Sequence, residues 1–366
     1  MKRGLAARDV RLAALAHAAF LFAGCAHGPA TPATNKVELD PIVITAGKGH
    51  DELDARTDGQ LFDDGAVYFR SQKYAEAARH FDKLVTAHPG SPQLLPALYN
   101  AGLAHQRLGH FQEALDRFLE LLRRDPQGRD ATDAQFQAAL CEYRIGKKQE
   151  AGDRLHALGQ RTDLSPQRRA EALVQEGVCR FETGQRAEGE QLFRGSVKLL
   201  EEASVRDAVE PGLLAQAEFW LGETYRAHFL EARLDPATMD QEKLGEAIEN
   251  KAQFLMSAQG HYLRAIRKND GEWATAAGYR VGELYEAFHD ELVKAPLPRG
   301  LDPDQASLYR LELRGKVKVL MGKAIQIYEQ TLAAAQRTGA SNDYVAKARL
   351  ALERVRKLLA EDDLSL

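Results

Sequence analysis

Small, aromatic and proline residues recur along the chain in a fixed order and at a fixed distance. Five positions are followed 37 residues later by the same types of residue: Gly65, Tyr74, Ala77, Phe81 and Pro89, then Gly102, Phe111, Ala114, Phe118 and Pro126. A repeat of this length holds two helices and a turn, and one such unit cannot bury its own apolar face. The pattern therefore predicts helix pairs that stack and share a core.

The residue types fit such a stack. Gly102 and Ala114 leave little side chain where two helices cross, and Phe118 is predicted to fill the gap between helix pairs. Pro126 ends the second helix, because proline lacks an N–H group and clashes with the preceding turn. The pattern continues more loosely over residues 132–200, with Ala139, Ala151 and Leu155 and then Gly177, Gly189 and Phe193 in the same slots.

This order of small residue, small residue, aromatic and proline resembles the tetratricopeptide repeat. The resemblance implies an all-α fold, a right-handed superhelical solenoid of stacked antiparallel helix pairs. It also implies a protein that binds other proteins and is not an enzyme. We predict four repeat-like units over residues 59–203.

The second half of the chain repeats the pattern in a stretched form. Leu221-Gly222-Glu223-Thr224-Tyr225 and Val281-Gly282-Glu283-Leu284-Tyr285 each open a further unit. The matching second-helix aromatics, Tyr262 and Tyr328, follow late. Two elongated repeats are therefore predicted over residues 204–340, and residues 341–366 are predicted to form a C-terminal capping helix and tail.

The N-terminus has the pattern of a targeting signal. Four basic residues precede an apolar stretch over residues 12–23 that is too short to span a membrane, which predicts a signal peptide over residues 1–24. Leu21-Phe22-Ala23-Gly24-Cys25 resembles a bacterial lipobox, in which Cys25 is lipidated, although Phe22 stands where leucine is favoured. Ala26 then implies an outer-membrane lipoprotein facing the periplasm. An ordinary secretory signal, or a chance cysteine, is the alternative.

Residues 25–58 are rich in Pro, Thr, Gly, Asp and Ala, which predicts a flexible linker between lipid and domain. Within it, residues 40–46 include the β-branched run Ile42-Val43-Ile44-Thr45, which favours an extended strand. This segment resembles the energy-coupling box of TonB-dependent receptors and would suit strand addition to a partner's sheet. We favour the simpler interpretation, a piece of linker lying against the first repeat.

A candidate binding face follows from the repeat register. In the tetratricopeptide family, certain first-helix positions line a concave groove, and here they carry aromatic, aliphatic and arginine residues. The predicted peptide-binding groove consists of Phe62, Phe69, Arg70, Tyr99, Leu103, Arg107, Phe136, Leu140, Tyr143, Arg144 and Phe181. It would suit an apolar or amphipathic peptide carrying acidic residues. Packing against the neighbouring repeat is the alternative role for the same side chains.

Composition and motifs exclude several classes of function. The net charge is −4, or −7 without the first 24 residues, which argues against a nucleic-acid partner. Three cysteines are too few for a disulfide scaffold, and Cys141 and Cys179, in one slot of successive units, are predicted to be buried free thiols. Phosphate-loop, zinc-helix and nucleophile-elbow motifs are missing from the sequence, so we predict no catalytic residue, metal, cofactor or small-molecule substrate.

Three functions are compatible with these patterns. The first is a scaffold lipoprotein that holds other envelope proteins, similar to the tetratricopeptide lipoproteins of myxobacterial and other deltaproteobacterial envelopes. It would serve a gliding-motility, pilus or secretin, or TonB-type transport machine. The second is a non-catalytic docking subunit of a peptidoglycan enzyme, which no sequence motif supports. The third is an energy-coupling partner that acts through residues 42–45.

Overall fold

The computed structural model describes residues 52–204, 209–235, 239, 241–295, 297 and 301–364. Over these residues the chain forms thirteen α-helices and no strand, which confirms the all-α prediction. The predicted signal peptide, Cys25 and the extended segment at residues 40–46 lie outside the described residues.

The helices have the following bounds. They are α1 (Asp58–Arg70), α2 (Tyr74–Ala87), α3 (Leu94–Arg107), α4 (Phe111–Arg124), α5 (Ala131–Arg144), α6 (Lys148–Gly159), α7 (Pro166–Glu182), α8 (Arg186–Ser204), α9 (Pro211–Glu231), α10 (Gln241–Arg267), α11 (Gly271–Lys294), α12 (Pro303–Thr338) and α13 (Asp343–Leu364). The chain divides into two compact units, Met1–Arg154 and Leu155–Leu366. The described part of the first unit holds α1–α5 and the start of α6.

The first helix of each early pair ends in the same tight turn. Gln72, Gly109, Gly146 and Gly184 each adopt a positive φ just after a first helix. The next residue then bonds back across the helix end, as in the 2.9 Å bond from the His110 N–H to the His105 carbonyl. This left-handed cap satisfies the last carbonyl groups and reverses the chain within three residues, so that the second helix packs antiparallel to the first.

A glycine and an aromatic ring set the crossing within five of the helix pairs. A Cβ atom on Gly102 would lie 2.6 Å from Cζ of Phe118, closer than packed atoms approach. The same relationship holds in four further pairs: Gly65 with Phe81, Gly177 with Phe193, Gly222 with Tyr262, and Gly282 with Tyr328. The ring of Phe118, which the sequence predicts to fill the gap between pairs, lies over the glycine of its own pair.

Polar contacts join successive pairs in the first unit. Asp82 on α2 lies 2.8 Å from Nε2 of His105 on α3 and accepts a 2.7 Å bond from Nε of Arg117 on α4. Burial raises the pKa of Asp82, but these two partners outweigh it and the net shift is downward. Charged hydrogen bonds of this kind fix the angle between pairs as well as their distance.

The second unit contains the elongated pairs. Helices α9, α10, α11 and α12 have 21, 27, 24 and 36 residues, as the stretched spacing predicts. Pro303 stands in the first turn of α12, where Asp302 forms a capping box with Gln305. Helix α13 packs on α11 and α12 and buries its own apolar stripe, namely Ala348, Ala351, Leu352 and Val355. It therefore covers the last pair, in the role predicted for a capping helix.

The two described cysteines are buried thiols. Neither Cys141 nor Cys179 forms a disulfide. Burial raises the pKa of Cys141 to about 12, although a hydrogen bond from Gln106 opposes the shift. The thiol therefore stays protonated at neutral pH and is not a nucleophile.

Candidate interaction surface

The aromatic part of the predicted groove largely supports the helix crossings. Phe62 on α1 lies edge-on to Phe81 at 5.7 Å between ring centroids, and Tyr99 on α3 lies edge-on to Phe118 at the same distance. Both side chains are half-buried. Such edge-to-face pairs stabilise the ring that rests on the crossing glycine. Much of the surface of Phe62 and Tyr99 therefore serves the core.

Two further groove residues are buried outright. Leu103 is 8% exposed and Phe136 is 5% exposed. Among the other predicted residues, Phe69 packs edge-on against Tyr74 at 5.3 Å, Leu140 is half-buried, and the Tyr143 ring lies 5.7 Å from Nζ of Lys148. A ligand would meet only parts of these side chains.

The arginine row lies at the helix ends. Arg70, Arg107 and Arg144 are the last residues of α1, α3 and α5, and all three are exposed. We call them the arginine edge. A cation at this position is favoured by the partial negative charge of a helix C-terminus, which accounts for part of the regularity. Arg144 has a further contact, since its guanidinium lies 4.4 Å from the ring of Phe111.

The guanidinium groups of the other two members of the arginine edge have no side-chain partner among the described residues. Within the described ranges, neither Arg70 nor Arg107 forms an ion pair or side-chain hydrogen bond. Their guanidinium groups are thus available to a carboxylate from outside, which an arginine binds through two parallel hydrogen bonds. They are the predicted groove residues least engaged in packing.

The last groove residue, Phe181, belongs to the second unit. Its ring lies edge-on to Trp220 at 5.7 Å, and Trp220 stacks on Phe193 at 6.0 Å. Arg186 lies 5.8 Å from the Phe181 ring. Phe181 therefore forms part of an aromatic cluster between α7, α8 and α9.

The equivalent positions of the elongated pairs carry charge. Glu223 and Glu283 each follow a crossing glycine, where the early pairs have Ala66 and Leu103. Arg226 on α9 lies 3.0 Å from Glu283 on α11, and Arg280 on α11 lies 3.0 Å from Glu223 on α9. Two acids and two arginines thus link the first helices of successive pairs.

Neighbouring tyrosines complete this polar network. The Tyr262 hydroxyl donates a 2.6 Å bond to Glu223, and burial, together with the charge of Glu223, raises the pKa of Tyr262 well above its usual value. Burial lowers the pKa of Arg280, but Glu223 and Glu283 outweigh it and the net shift is upward. Nε of Arg280 lies near the Glu223 carboxylate without the alignment of a hydrogen bond, so the contact is an ion pair. Tyr262 therefore stays neutral and Arg280 stays charged at neutral pH.

The sequence carried a signal for this network. The segment Gly-Glu-x-Tyr occurs at both Gly222 and Gly282, and a glutamate repeated in one slot of a repeat marks a shared structural position. Its arginine partners could not be assigned, because Arg226 and Glu283 stand 57 residues apart in units of uneven length.

The carboxyl group of Glu272, in the first turn of α11, has an unusual pKa. Asp270 caps the helix by accepting bonds from the N–H groups of Glu272 and Trp273. Burial raises the pKa of Glu272 to about 7, and the charge of Asp270 adds to the shift. Glu272 therefore ionises near neutral pH.

Two features are missing from the part of the chain that the structure describes. It holds no group of three or more His, Cys, Asp or Glu side chains arranged to bind a metal ion. Likewise, none of its helices combines the length and apolar character needed to cross a bilayer.

Known proteins resemble the chain only in part. No curated protein matches the sequence. Among solved structures, RapI in its apo form shares 8% identity, with 83% of this chain and 99% of that chain aligned at a TM-score of 0.47. A tetratricopeptide repeat protein from Parabacteroides merdae shares 14% identity over 82% of this chain and 98% of that one, at a TM-score of 0.38. MamA shares 16% identity over 56% and 93%, at a TM-score of 0.39.

The family comparison is confined to the first unit. Residues 65–127 match the family model for the tetratricopeptide repeat. This range begins at the crossing glycine of the first pair and ends just after α4, so it includes Arg70 and Arg107. The match to the tetratricopeptide repeat therefore covers most of the first two helix pairs.

Proposed function

We propose that the protein is a non-catalytic scaffold that binds other proteins through the arginine edge of its first unit. The observation that carries this proposal is the pair of exposed guanidinium groups on Arg70 and Arg107, which lack acidic partners within the described chain. Both stand in the segment that matches the tetratricopeptide repeat, a class of stacked helix pairs that presents extended binding surfaces.

The chemistry of this edge defines its ligand. Phe69 and Tyr143 lie beside the arginines and are half-buried, so each offers some apolar surface. An extended or helical peptide with acidic and apolar residues would satisfy both kinds of group. A basic peptide would not, because nothing on the arginine edge neutralises it.

A charge-reversal experiment tests this proposal. Arg70→Glu together with Arg107→Glu should abolish copurification of the partners that the parent protein retains after crosslinking in the native envelope. Arg129→Glu makes the same kind of change at an exposed loop residue and should leave capture unchanged. These variants are preferable to Tyr99→Ala, since Tyr99 packs on Phe118 and its loss would disturb the fold. Capture of the same partners at the same yield by the double variant would refute the proposal.

We also propose that the scaffold is an outer-membrane lipoprotein anchored at Cys25 and facing the periplasm. The support is the sequence Leu21-Phe22-Ala23-Gly24-Cys25-Ala26 after a basic and apolar leader. Several acyl chains on one cysteine anchor firmly, because each buried CH₂ contributes about 0.8 kcal/mol. The process served is then an envelope machine of the motility, secretion or TonB-coupled kind.

Membrane fractionation tests the anchor. Cys25→Ala should move the protein from the membrane pellet to the soluble fraction, and persistence in the pellet would count against lipidation.

Deletion of residues 37–46 distinguishes the scaffold function from the energy-coupling function. The scaffold should keep all its partners, whereas loss of one would favour coupling through residues 42–45.

A further inference from the structure

Helix α12 exposes an apolar stripe on its N-terminal half. Leu308, Leu311 and Val319 are 57%, 50% and 58% exposed. Their spacing of three and eight residues places them on one side of the helix. The opposite side of the same segment packs into the core through Val317 and Met321. This part of α12 is therefore apolar on two faces, and the described chain covers only one of them.

Two glycines lie on the same exposed side. Gly315 and Gly322 stand seven residues apart in the helix interior, where glycine is less favourable than alanine. A Cβ atom at either position would meet nothing within 4 Å. These glycines therefore do not serve packing within the described chain, in contrast to the crossing glycines such as Gly282. Along the stripe they leave room for another backbone to approach.

Basic residues border this stripe. Residues 303–323 contain five basic side chains and two acidic ones, although the whole chain has a net charge of −4. Lys316 and Lys323 flank one side of the stripe together with the acidic Glu312, and Arg314 and Lys318 flank the other. Lys316 has only a loose, exposed contact with Glu312 at 4.0 Å. The surface is thus an apolar seam whose edges carry a net positive charge.

We propose that this seam, formed by Leu308, Leu311, Gly315, Val319 and Gly322, docks an amphipathic helix of a partner protein with acidic flanks. Apolar side chains of that helix cover the seam, and Asp or Glu residues on its flanks meet the lysines and arginines. Positive edges disfavour a second copy of α12 on the same seam, since like charges would face each other. The narrow width and the open glycine positions favour a helix over a lipid surface, which large apolar side chains bind better.

A designed peptide tests this proposal without knowledge of the natural partner. The probe is a helical peptide of about three heptads with Leu at the a and d positions and Glu at e and g. We expect it to bind the full-length protein, as measured by fluorescence anisotropy. Leu311→Glu and Val319→Glu should each weaken binding at least about tenfold, as is typical for loss of a central apolar anchor. Met256→Glu is the matched control, since Met256 is 68% exposed on α10, and should have no effect.

Two further peptides separate charge from apolar contact. A peptide with Lys in place of Glu should not bind, and one with Ser in place of Leu should bind at least about tenfold more weakly. The proposal would be overturned if either peptide bound as tightly as the original Leu/Glu peptide, or if Leu311→Glu left the binding of the original peptide unchanged.

Two other occupants are outcomes of the same study. If the protein cosediments with phosphatidylglycerol vesicles and Leu311→Glu abolishes this, the seam binds a membrane surface and the proposed partner helix is wrong. If sedimentation velocity shows a dimer that Leu311→Glu dissociates, the seam binds a second copy of the chain and the proposal is likewise wrong. The arginine edge lies in the first unit, so the capture experiment with Arg70 and Arg107 fails or succeeds independently of these results.

Discussion

The ring of Phe118 occupies the space that a side chain at residue 102 would need. A Cβ atom on Gly102 would lie within 3 Å of three atoms of that ring. Because the same contact recurs between a first-helix glycine and a second-helix ring in five pairs, it fixes how closely each pair of helices crosses. The stack, and the surface that it presents, depend on this contact.

We therefore expect Gly102→Ala to lower the free energy of unfolding by about 1–3 kcal/mol, the usual cost of overpacking a core. Phe118→Leu in the same chain should recover part of this loss, since the sequence itself carries Ala139 and Leu155 in the corresponding slots of the third unit. Urea unfolding of the four members of a double-mutant cycle measures the coupling. Gly245→Ala, at a helical glycine with open space around it, should be stabilising instead. If the losses in free energy of unfolding caused by Gly102→Ala and Phe118→Leu simply add in the double mutant, the two residues are not in the proposed contact.

The crossing glycines show what a sequence can reveal about such a fold. Gly102 and Phe118 stand within one repeat, so their register is visible as a spacing of 16 residues that recurs at Gly65 and Phe81. Contacts between repeats leave no such trace. Asp82 meets Arg117 from 35 residues away, and the distance between partners changes again in the elongated pairs. Repeat length therefore predicts the helices and their pairing, but not the ion pairs that join successive pairs.

The candidate surface was harder to predict than the fold. An aromatic residue in a first helix can face a ligand or its own pair, and Tyr99 mainly faces Phe118. The two roles require the same apolar side chain, so the sequence does not distinguish them. Arg107 was easier to place because a charged group is rarely buried, and it lies on the surface. The seam on α12 was missed since both faces of that segment are apolar.

One early turn contains a residue that is less suited to it than its counterparts. Gln72 has φ 60°, whereas Gly109, Gly146 and Gly184 occupy the same place in the next three pairs. A non-glycine residue in the left-handed region destabilises the fold by about 1 kcal/mol. Glycine avoids this cost, but it makes the unfolded chain more flexible, which offsets part of the gain. We expect Gln72→Gly to raise the free energy of unfolding by about 0.5 kcal/mol. The reverse change, Gly109→Gln, should be destabilising, and a neutral or stabilising effect there would show that the turn imposes no strain.

The raised pKa of Glu272 should make the free energy of unfolding depend on pH. Its pKa is raised to about 7 in the folded chain, against 4.5 for an unperturbed glutamate. Because the unfolded state ionises first as pH rises, the free energy of unfolding should fall between pH 4.5 and about 7 and level off above. Glu272→Gln removes this loss. The variant should match the parent near pH 4 and exceed it by about 1–2 kcal/mol at pH 8, with allowance for solvent screening of a half-buried group.

Urea unfolding of both proteins at the two pH values checks this expectation. A variant that is less stable than the parent at pH 8 would contradict it. That result would mean that Glu272 is charged in the folded state and stabilises the N-terminus of α11.

The central claim is that partners bind the arginine edge of the first unit, and site-specific photocrosslinking tests it most directly. A benzophenone amino acid is placed at Arg107, or at Glu113, an exposed residue of the second helix α4 in the same pair. We expect irradiation of intact cells to link a partner protein from position 107 and not from position 113. Crosslinking of the same partner from position 113 alone would contradict it.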